Sequence, residues 1–149
     1  CLFMCYCHAA HGVILGNHVI CSNGVQLAGD VHLEDYAIVG GLSAVHQFGT
    51  VGKHAMVGGM SRATKDVPPF MLCGPSDGEL RVAGPNVVGL TRRGFSKESI
   101  AALRDAVKVL YHGGFNRTQA LEKIEREVEQ TDEVKYLVGF YRNSERGVI

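Results

Sequence analysis

An aliphatic or near-aliphatic residue returns every six positions between residues 13 and 59. The first such column consists of Leu15, Cys21, Leu27, Leu33, Val39, Val45, Val51 and Val57. A second column, two residues earlier in each hexad, consists of Val13, Val19, Val25, Val31, Ala37, Ser43, Gly49 and Ala55. Neither the 3.6-residue period of a helix nor the alternation of a long strand gives a strict six, whereas a solenoid of short strands does. The pattern therefore predicts a hexapeptide β-helix with both columns pointing inward.

The repeat extends back to Cys1 and stops at residues 66–69, where Pro68 and Pro69 remove backbone donors and restrict the backbone. We therefore assign residues 1–69 to the β-helix. Because the repeat is already in register at its first residue, we expect coils to be missing from the N-terminal side. Residues 70–95 are rich in glycine and proline and predict a loop-rich connector with short extended pieces such as Leu80 to Val82, whose length suggests a function.

Residues 96–149 change to helical spacing and predict a small α-helical domain of three segments. Ser96 is suited to be the N-cap of the first helix, which Gly113 and Gly114 end. Asn116 begins the second helix and Thr131 the third.

Charge and composition exclude several classes of partner. Fifteen basic residues balance fifteen acidic ones, so no overall field favours nucleic acid. No apolar run approaches the roughly 20 residues of a membrane span, and no signal peptide opens the chain. We expect a cytoplasmic protein.

The five cysteines raise the question of a metal site. The candidate ligands near the start of the chain are Cys1, Cys5, Cys7, His8 and His11. Their spacing is loose for zinc. Cys1, Cys7 and Cys21 also fall in the two inward columns, where cysteine behaves as a small hydrophobe. We therefore predict structural cysteines and no metal, and the odd count suits a reducing compartment.

Five segments together resemble a known family. They are His8-Ala9-Ala10-His11, Leu27-Ala28-Gly29, Ala44-Val45-His46-Gln47-Phe48, Asp66-Val67-Pro68-Pro69 and the segment from Asn86 to Ser96 that contains Gly89-Leu90-Thr91-Arg92-Arg93-Gly94-Phe95-Ser96. The chain is similar to the bacterial UDP-N-acetylglucosamine O-acyltransferases that start lipid A synthesis. The resemblance implies a left-handed parallel β-helix with three hexads per turn, a homotrimer, and about half of a full-length enzyme.

The resemblance also implies an activity. The family transfers an (R)-3-hydroxyacyl chain from acyl carrier protein to the glucosamine 3-hydroxyl of UDP-N-acetylglucosamine, with no cofactor. The residue matching His11 is the family's general base, a role that suits an imidazole. The backbone N–H matching Gly29 contacts the oxyanion. The expected partners are therefore UDP-N-acetylglucosamine and acyl carrier protein.

Other positions acquire substrate roles in the same way. His8 and His46 are expected to position the substrate or to pack at the trimer interface, and Gln47 is a further candidate. Gly41 and Gly59 share a column in which small residues either leave a groove for the acyl tail or simply form a β-helix corner.

The segment before Ser96 implies nucleotide binding. Arg92 and Arg93 precede a helix N-terminus and are expected to hold the pyrophosphate, while Asn86 matches the residue that reads the uracil. Val88 stands where the family often has glutamate, which alters uridine recognition. Basic residues that either face the acidic carrier or form an ordinary solvated surface are Arg62, Lys65, Lys97, Arg104 and Lys108.

The chain departs from its family beside the base. The residue after the base is usually aspartate, but here it is Gly12, and Asp30 stands where the family has histidine. With eighteen residues per turn, Asp30 lies over Gly12, one rung or about 4.8 Å away. Asp30 is thus either a relocated carboxylate that orients His11 or a replacement for a substrate contact.

Three functions remain open from the sequence. The first is the 3-O-acyltransferase, the second another hexapeptide transferase such as the related N-acyltransferase or an acetyl-CoA enzyme, and the third a non-catalytic solenoid. The Arg92-Arg93 segment and the helical tail favour the first over the second. His11 and Gly29 in one column favour an enzyme over the third.

Overall fold

Eleven two-residue strands wind the first part of the chain into a parallel β-helix, seen in a computed structural model that describes residues 1–149. They are β1 (Leu2–Phe3), β2 (His8–Ala9), β3 (Ile14–Leu15), β4 (Ile20–Cys21), β5 (Gln26–Leu27), β6 (His32–Leu33), β7 (Ile38–Val39), β8 (Ala44–Val45), β9 (Thr50–Val51), β10 (Met56–Val57) and β11 (Arg62–Ala63). Each of the strands β1 to β8 pairs in parallel with the strand eighteen residues later, as Ile14 does with His32. The turn of three hexads is thus confirmed.

The strands form the three walls of a triangular prism. Sheet A contains β1, β4, β7 and β10, sheet B contains β2, β5, β8 and β11, and sheet C contains β3, β6 and β9. We name the corners after the sheets that they join. Corner AB comprises residues 4–7, 22–25, 40–43 and 58–61; corner BC comprises 10–13, 28–31, 46–49 and 64–67; corner CA comprises 16–19, 34–37 and 52–55.

The two predicted columns fill the axis of the prism. Cys21, Leu33 and Val51 from the first column and Val19 and Val31 from the second are fully buried. Backbone N–H groups in each rung donate to carbonyls of the next, so the buried main chain is hydrogen-bonded throughout the walls. The inward direction of both columns is confirmed.

The corners hold non-glycine residues in a left-handed backbone conformation. Asp30 has φ of 57° and Phe48 has φ of 65°, a conformation that costs L-residues about 1–2 kcal/mol. Hydrogen bonds between rungs offset this cost, because Asp30 N–H donates to His11 O at 2.9 Å and Phe48 N–H to Gly29 O at 3.1 Å. The corners are thereby tied rung to rung, which sets the spacing of the side chains that they carry.

The coil continues past the two prolines, so the prediction of a loop-rich connector is wrong for most of its length. Strand β12 (Met71–Ser76) joins sheet A beside β10, and β13 (Glu79–Pro85) returns antiparallel to it. A short helix, α1 (Val87–Arg92), follows. Met56 pairs with Leu72, sixteen residues on. This shift of two residues interrupts the hexad, which is why the sequence pattern did not show the strand.

Three helices complete the chain, and their predicted starts are confirmed. They are α2 (Lys97–His112), α3 (Arg117–Glu127) and α4 (Asp132–Asn143). The N-caps are Ser96, Asn116 and Thr131, and each side-chain oxygen accepts a hydrogen bond from the backbone N–H three residues later. None of the helices combines the length and apolar character needed to cross a lipid bilayer.

The residues after α4 return to the coil and close around Asp66, an arrangement that we call the Asp66 clasp. Asp66 N–H donates to Gly147 O at 2.9 Å, and Ile149 N–H donates to Asp66 O at 3.0 Å. The buried carboxylate accepts from Ser144 Oγ at 2.6 Å and from Thr50 N–H at 2.9 Å. A satisfied buried carboxylate therefore joins the C-terminal segment to the last turn of the coil.

A ladder of aromatic rings lines corner CA. His18, Tyr36, His54 and Phe70 stack in that order, with centroid separations of 4.7, 4.8 and 6.0 Å. Phe95 meets the His54 ring edge-on at 4.9 Å. Nδ1 of His54 is buried without a hydrogen-bond partner. Burial, aided by Arg93 and Lys53, lowers the pKa of His54 to about 4.

Replacing His54 by phenylalanine is expected to stabilise the chain, most strongly in mild acid. The variant removes an unpaired buried nitrogen, worth about 1 kcal/mol at neutral pH, and Phe70 already adopts the same left-handed backbone at φ of 65°. Below pH 6.5 the unfolded chain protonates His54 while the folded chain does not, so the original protein loses stability as pH falls toward 4.

Urea unfolding at pH 7.5 and pH 5 measures this difference. The free energy of unfolding of the original protein should fall by about 1 kcal/mol more than that of the His54→Phe variant, a figure discounted for partial exposure of the ring. An equal fall in both proteins would show that His54 is not the group responsible.

Candidate active site

His11, Gly29 and Gln47 stack on successive rungs of corner BC. The His11 imidazole lies in the space that a Gly29 side chain would take: a Cβ added there would be 2.5 Å from Cε1 and 2.7 Å from Nε2 of His11. It would also be 3.2 Å from Nε2 of Gln47. The predicted column is thus confirmed, and its middle position admits no side chain while His11 stays in place.

The backbone of Gly29 has a free donor. Its carbonyl accepts from Phe48 N–H at 3.1 Å, but its own N–H donates to no group in the chain. An N–H beside an imidazole can stabilise an oxygen that acquires negative charge while the imidazole handles a proton. The arrangement therefore suits acyl transfer.

Asp30 lies on the other side of the imidazole. Its Oδ2 is 3.8 Å from Nδ1 of His11, and the two side chains are 41% and 77% exposed. Gly12 has φ of 70°, and a Cβ added there would collide with Oδ1 of Asp30. The carboxylate thus occupies the space over Gly12, as predicted for residues that are eighteen positions apart. His11 has a carboxylate at Nδ1 and the open face of a glycine at Nε2.

His46 has a partner that the sequence analysis missed. Its Nδ1 lies 3.1 Å from Nη2 of Arg146 and 3.2 Å from the backbone oxygen of Gln47. Arg146 follows the last helix, a hundred residues away, and no motif or spacing links it to corner BC. Only the Asp66 clasp brings it there.

The remaining predicted substrate positions lie beyond corner BC. His8 is exposed on the outer face of sheet B, in line with Gln26. Gly41 and Gly59 lie one above the other at corner AB, on the far edge of that sheet. A Cβ at Gly59 would be 3.2 Å from the backbone oxygen of Gly41. An extended acyl tail lying along the outer face of sheet B would reach from His11 to these two glycines.

The predicted nucleotide residues lie at a different corner from His11. Asn86 caps α1 by accepting from Gly89 N–H at 3.3 Å, and its Nδ2 donates to His54 O at 3.2 Å. The Arg93 guanidinium is 4.1 Å from the centre of the Tyr36 ring. Both contacts are at corner CA, so one chain does not bring these residues together with His11.

The two arginines also end a helix that the sequence analysis missed. Arg92 is in the last turn of α1 and Arg93 is its C-cap, where positive charge is favourable. Asn86 keeps one N–H and one lone pair for a ligand, because each side of its amide has a single partner. Val88, where the family often has glutamate, is 62% exposed on the same helix.

A basic cavity of about 540 Å³ lies between sheet B, the β12–β13 hairpin, α2 and the C-terminal segment. Its lining includes Arg62, Lys65, Arg81 and His112, together with Glu79, which pairs with Arg81 at 3.4 Å. Two of the five basic residues predicted to face an acidic partner, Arg62 and Lys65, thus line one cavity. The other three, Lys97, Arg104 and Lys108, are exposed on α2.

The cysteines lie apart from this site. No three histidine, cysteine, aspartate or glutamate side chains are grouped so as to hold a metal ion. Burial raises the pKa of Cys21 and of Cys73 to about 12, so both thiols stay uncharged at neutral pH. Cys7 donates through its thiol to Ser22 O at 2.9 Å. Cys21 and Cys73 are thus small buried side chains and Cys7 is half-buried, but Cys1 and Cys5 are exposed, so the predicted inward position is wrong for Cys1.

Comparison with known proteins identifies relatives over nearly the whole chain. Residues 66–149 match the family model described as UDP N-acetylglucosamine O-acyltransferase, domain 2. A relative from Burkholderia lata, named acyl-[acyl-carrier-protein]–UDP-N-acetylglucosamine O-acyltransferase, is 44% identical over 98% of this chain and 56% of its own length. The chain therefore spans about half the length of the curated relatives it matches.

Solved structures share the fold. The UDP-N-acetylglucosamine acyltransferase of Bacteroides fragilis is 40% identical, with a TM-score of 0.93 over 97% of this chain and 56% of that one. The Francisella novicida UDP-N-acetylglucosamine acyltransferase is 36% identical, with a TM-score of 0.92 over 98% and 53%. The predicted fold, a left-handed parallel β-helix followed by helices, is confirmed.

Proposed function

Because the chain belongs to the UDP-N-acetylglucosamine O-acyltransferase family, we propose that it carries the catalytic centre of such an enzyme. The reaction moves an (R)-3-hydroxyacyl chain from acyl carrier protein to the 3-hydroxyl of UDP-N-acetylglucosamine, the first step of lipid A synthesis. The observation that supports this most directly is the His11 imidazole lying over Gly29 with Asp30 at its other nitrogen.

The proposed mechanism needs one proton carrier and one oxyanion donor. Nε2 of His11 accepts the proton of the sugar hydroxyl as its oxygen attacks the thioester carbonyl carbon. The carbonyl electron pair moves to oxygen, where the Gly29 N–H stabilises it. The intermediate then collapses, the carbon–sulfur bond breaks, and the leaving sulfur takes the proton from His11. The products are the 3-O-acyl sugar nucleotide and the free carrier thiol.

Asp30 is proposed to orient the base. A carboxylate that accepts from Nδ1–H leaves the lone pair on Nε2, which is the nitrogen beside Gly29. The present separation of 3.8 Å is longer than a hydrogen bond, and catalytic contacts often shorten only when substrate binds. Because Gly12 has no side chain, the Asp30 carboxylate can lie in the space over Gly12, beside the His11 ring.

The Asp30→Asn variant is expected to lower kcat at least about tenfold, the effect of one charge-assisted hydrogen bond. The double variant Asp30→Gly/Gly12→Asp, which exchanges the two residues, is expected to have a higher kcat than Asp30→Gly alone. Both positions have positive φ, which aspartate and glycine tolerate. Steady-state kinetics at saturating substrates measure both effects. If Asp30→Asn changes only the KM of the sugar nucleotide, Asp30 is a substrate contact and not the orienting group.

We further propose that the active protein is a homotrimer whose sites lie between subunits. Support comes from the separation of the predicted nucleotide residues, at corner CA, from His11, at corner BC. A neighbouring chain whose corner CA lies against corner BC unites the two sets. The outer face of sheet A supplies apolar side chains for association, because Ile20, Ile38 and Met56 follow one another there.

The acyl carrier protein is proposed to dock near the basic cavity. Acidic partners are steered by positive surfaces, and Lys65 follows Gln47 in the column of His11, one turn further along corner BC. Arg62 and Lys65 would then lie on the side from which the acyl chain enters the site. The face of sheet B leads from there toward Gly41 and Gly59.

The test of this function uses the complete gene product, with acyl carriers of several chain lengths and UDP-N-acetylglucosamine. We expect an ester at the 3-hydroxyl, identified by mass spectrometry. Absence of that product with every chain length would overturn the proposal.

Mixed trimers test the shared site. Trimers are assembled from equal amounts of His11→Ala and Arg92→Ala/Arg93→Ala subunits. They should recover about a quarter of the original activity at low UDP-sugar. With random assembly, half of the sites have an intact His11, and half of those have intact arginines from the neighbouring subunit. Activity no higher than the mean of the two variants would show that each site belongs to a single chain.

A further inference from the structure

Arg146 reaches corner BC from the far end of the chain and contacts two stacked residues there. Its Nη2 donates to Thr64 O at 2.8 Å and lies 3.1 Å from Nδ1 of His46. Thr64 follows His46 by eighteen residues, so the guanidinium spans one turn of the coil. The Nη2 group has two hydrogens, and the structure supplies one acceptor for each.

The position of Arg146 is determined by the Asp66 clasp. Asp66 bonds the backbone of Gly147 and Ile149 and the side chain of Ser144, on both sides of Arg146. Gly147 has φ of 86°, the left-handed turn that aims the preceding side chain at the coil. Nε of Arg146 is buried without a partner. An unpaired buried donor destabilises the fold, so stability alone does not account for an arginine at this place.

Two hydrogen-bond patterns compete at Nδ1 of His46. As a donor it would bond Gln47 O at 3.2 Å, and as an acceptor it would bond Arg146 at 3.1 Å. A guanidinium has donors only. A proton on Nδ1 would therefore place two N–H groups against each other at 3.1 Å. The contact is favourable only when Nδ1 carries the lone pair and Nε2 carries the proton.

We propose that Arg146 is a positioning residue that holds His46 as the Nε2–H tautomer, so that His46 donates a hydrogen bond to an oxygen of the sugar nucleotide. This inference rests on the proposed function of corner BC. It gives the two imidazoles of that corner opposite roles. His11 has a carboxylate at Nδ1 and leaves Nε2 free to accept a proton, whereas His46 has a guanidinium at Nδ1 and presents a donor.

The tautomer is read by nitrogen NMR of histidine-labelled complete gene product, with the His46 signals assigned by their loss in His46→Asn. We expect the Nε2–H pattern in the original protein and in Arg146→Lys, which keeps a donor. Arg146→Met should shift His46 toward the Nδ1–H form, bonded to Gln47 O. The matched control is Arg142→Met, because Arg142 pairs with Glu125 at 2.6 Å, away from the site. An Nδ1–H pattern in the original protein, or no change in Arg146→Met, overturns the proposal.

A double-mutant cycle separates positioning from a general structural effect. Arg146→Met should lower kcat/KM for the sugar nucleotide about tenfold, the effect of one misplaced hydrogen bond. In a His46→Ala background the same change should have no further effect, because Arg146 acts through His46. Losses that multiply in the double variant overturn the proposal. If Arg146 controls the tautomer but the complete gene product transfers no acyl group, the proposed function fails and the tautomer assignment stands.

Discussion

Replacing His11 by alanine is expected to lower acyl transfer at least about 100-fold, the usual effect of losing a general base. The change should leave the fold intact, because the side chain is 77% exposed and lies on Gly29 and not among the core residues. Initial rates with saturating acyl carrier and sugar nucleotide measure the loss. Thermal unfolding of the same preparations is the control.

The space left by the imidazole offers a second readout. Added imidazole should restore part of the activity of the His11→Ala variant, because the site is open to solvent and Asp30 remains beside it. Near-full activity of the variant at neutral pH would show that another group removes the proton. A loss of activity accompanied by a lower unfolding temperature would assign His11 to the structure and not to catalysis.

Replacing Gly29 by alanine is expected to lower kcat by at least about 100-fold, the range seen when an oxyanion donor is lost. The added methyl would lie 2.5 Å from Cε1 and 2.7 Å from Nε2 of His11, which are steric clashes. The imidazole must therefore move away from the Gly29 N–H, and the methyl also blocks the thioester carbonyl from that donor. One substitution thus disturbs both halves of the proposed centre.

Gly139 provides the matched control for this substitution. A Cβ added to Gly139, in α4, meets nothing within 4 Å, and alanine in a helix is more favourable than glycine by about 1 kcal/mol. Gly139→Ala should therefore retain full activity with equal or greater stability. Crystal structures or histidine NMR of Gly29→Ala should show a displaced His11. Normal turnover with an undisplaced imidazole would contradict the proposed geometry.

Stacking relations inside the coil could be predicted from the sequence to the level of single side chains. Asp30 over Gly12, and His11, Gly29 and Gln47 in one column, follow from the hexad register together with the three hexads per turn that the family resemblance implies. These predictions succeed because each rung repeats the backbone of the one before it. A position in the period therefore specifies both the direction and the neighbours of a side chain.

Relations between separate parts of the chain could not be predicted in this way. The matched motif assigned Asn86, Arg92 and Arg93 to a substrate site, but no spacing in the sequence shows that Asn86 and Arg93 contact corner CA. Helix α1 could not be predicted either, because six residues carry too little periodicity to reveal a helix. Strand β12 was missed for a related reason, since it pairs with a shift of two residues and so falls outside the hexad.

The sequence by itself determined the repeat, its inward columns and the caps of three helices, because these depend on spacing between near neighbours, and its motifs carried the resemblance to the family. Only the tertiary structure decided which corner each functional residue occupies and which residues complete it. The contact of Arg146 with His46 depends on the buried Asp66, Ser144 and the turn at Gly147, which act together once α4 has packed on the coil. Such contacts arise from the cooperative closure of distant segments, and no local pattern of residues records them.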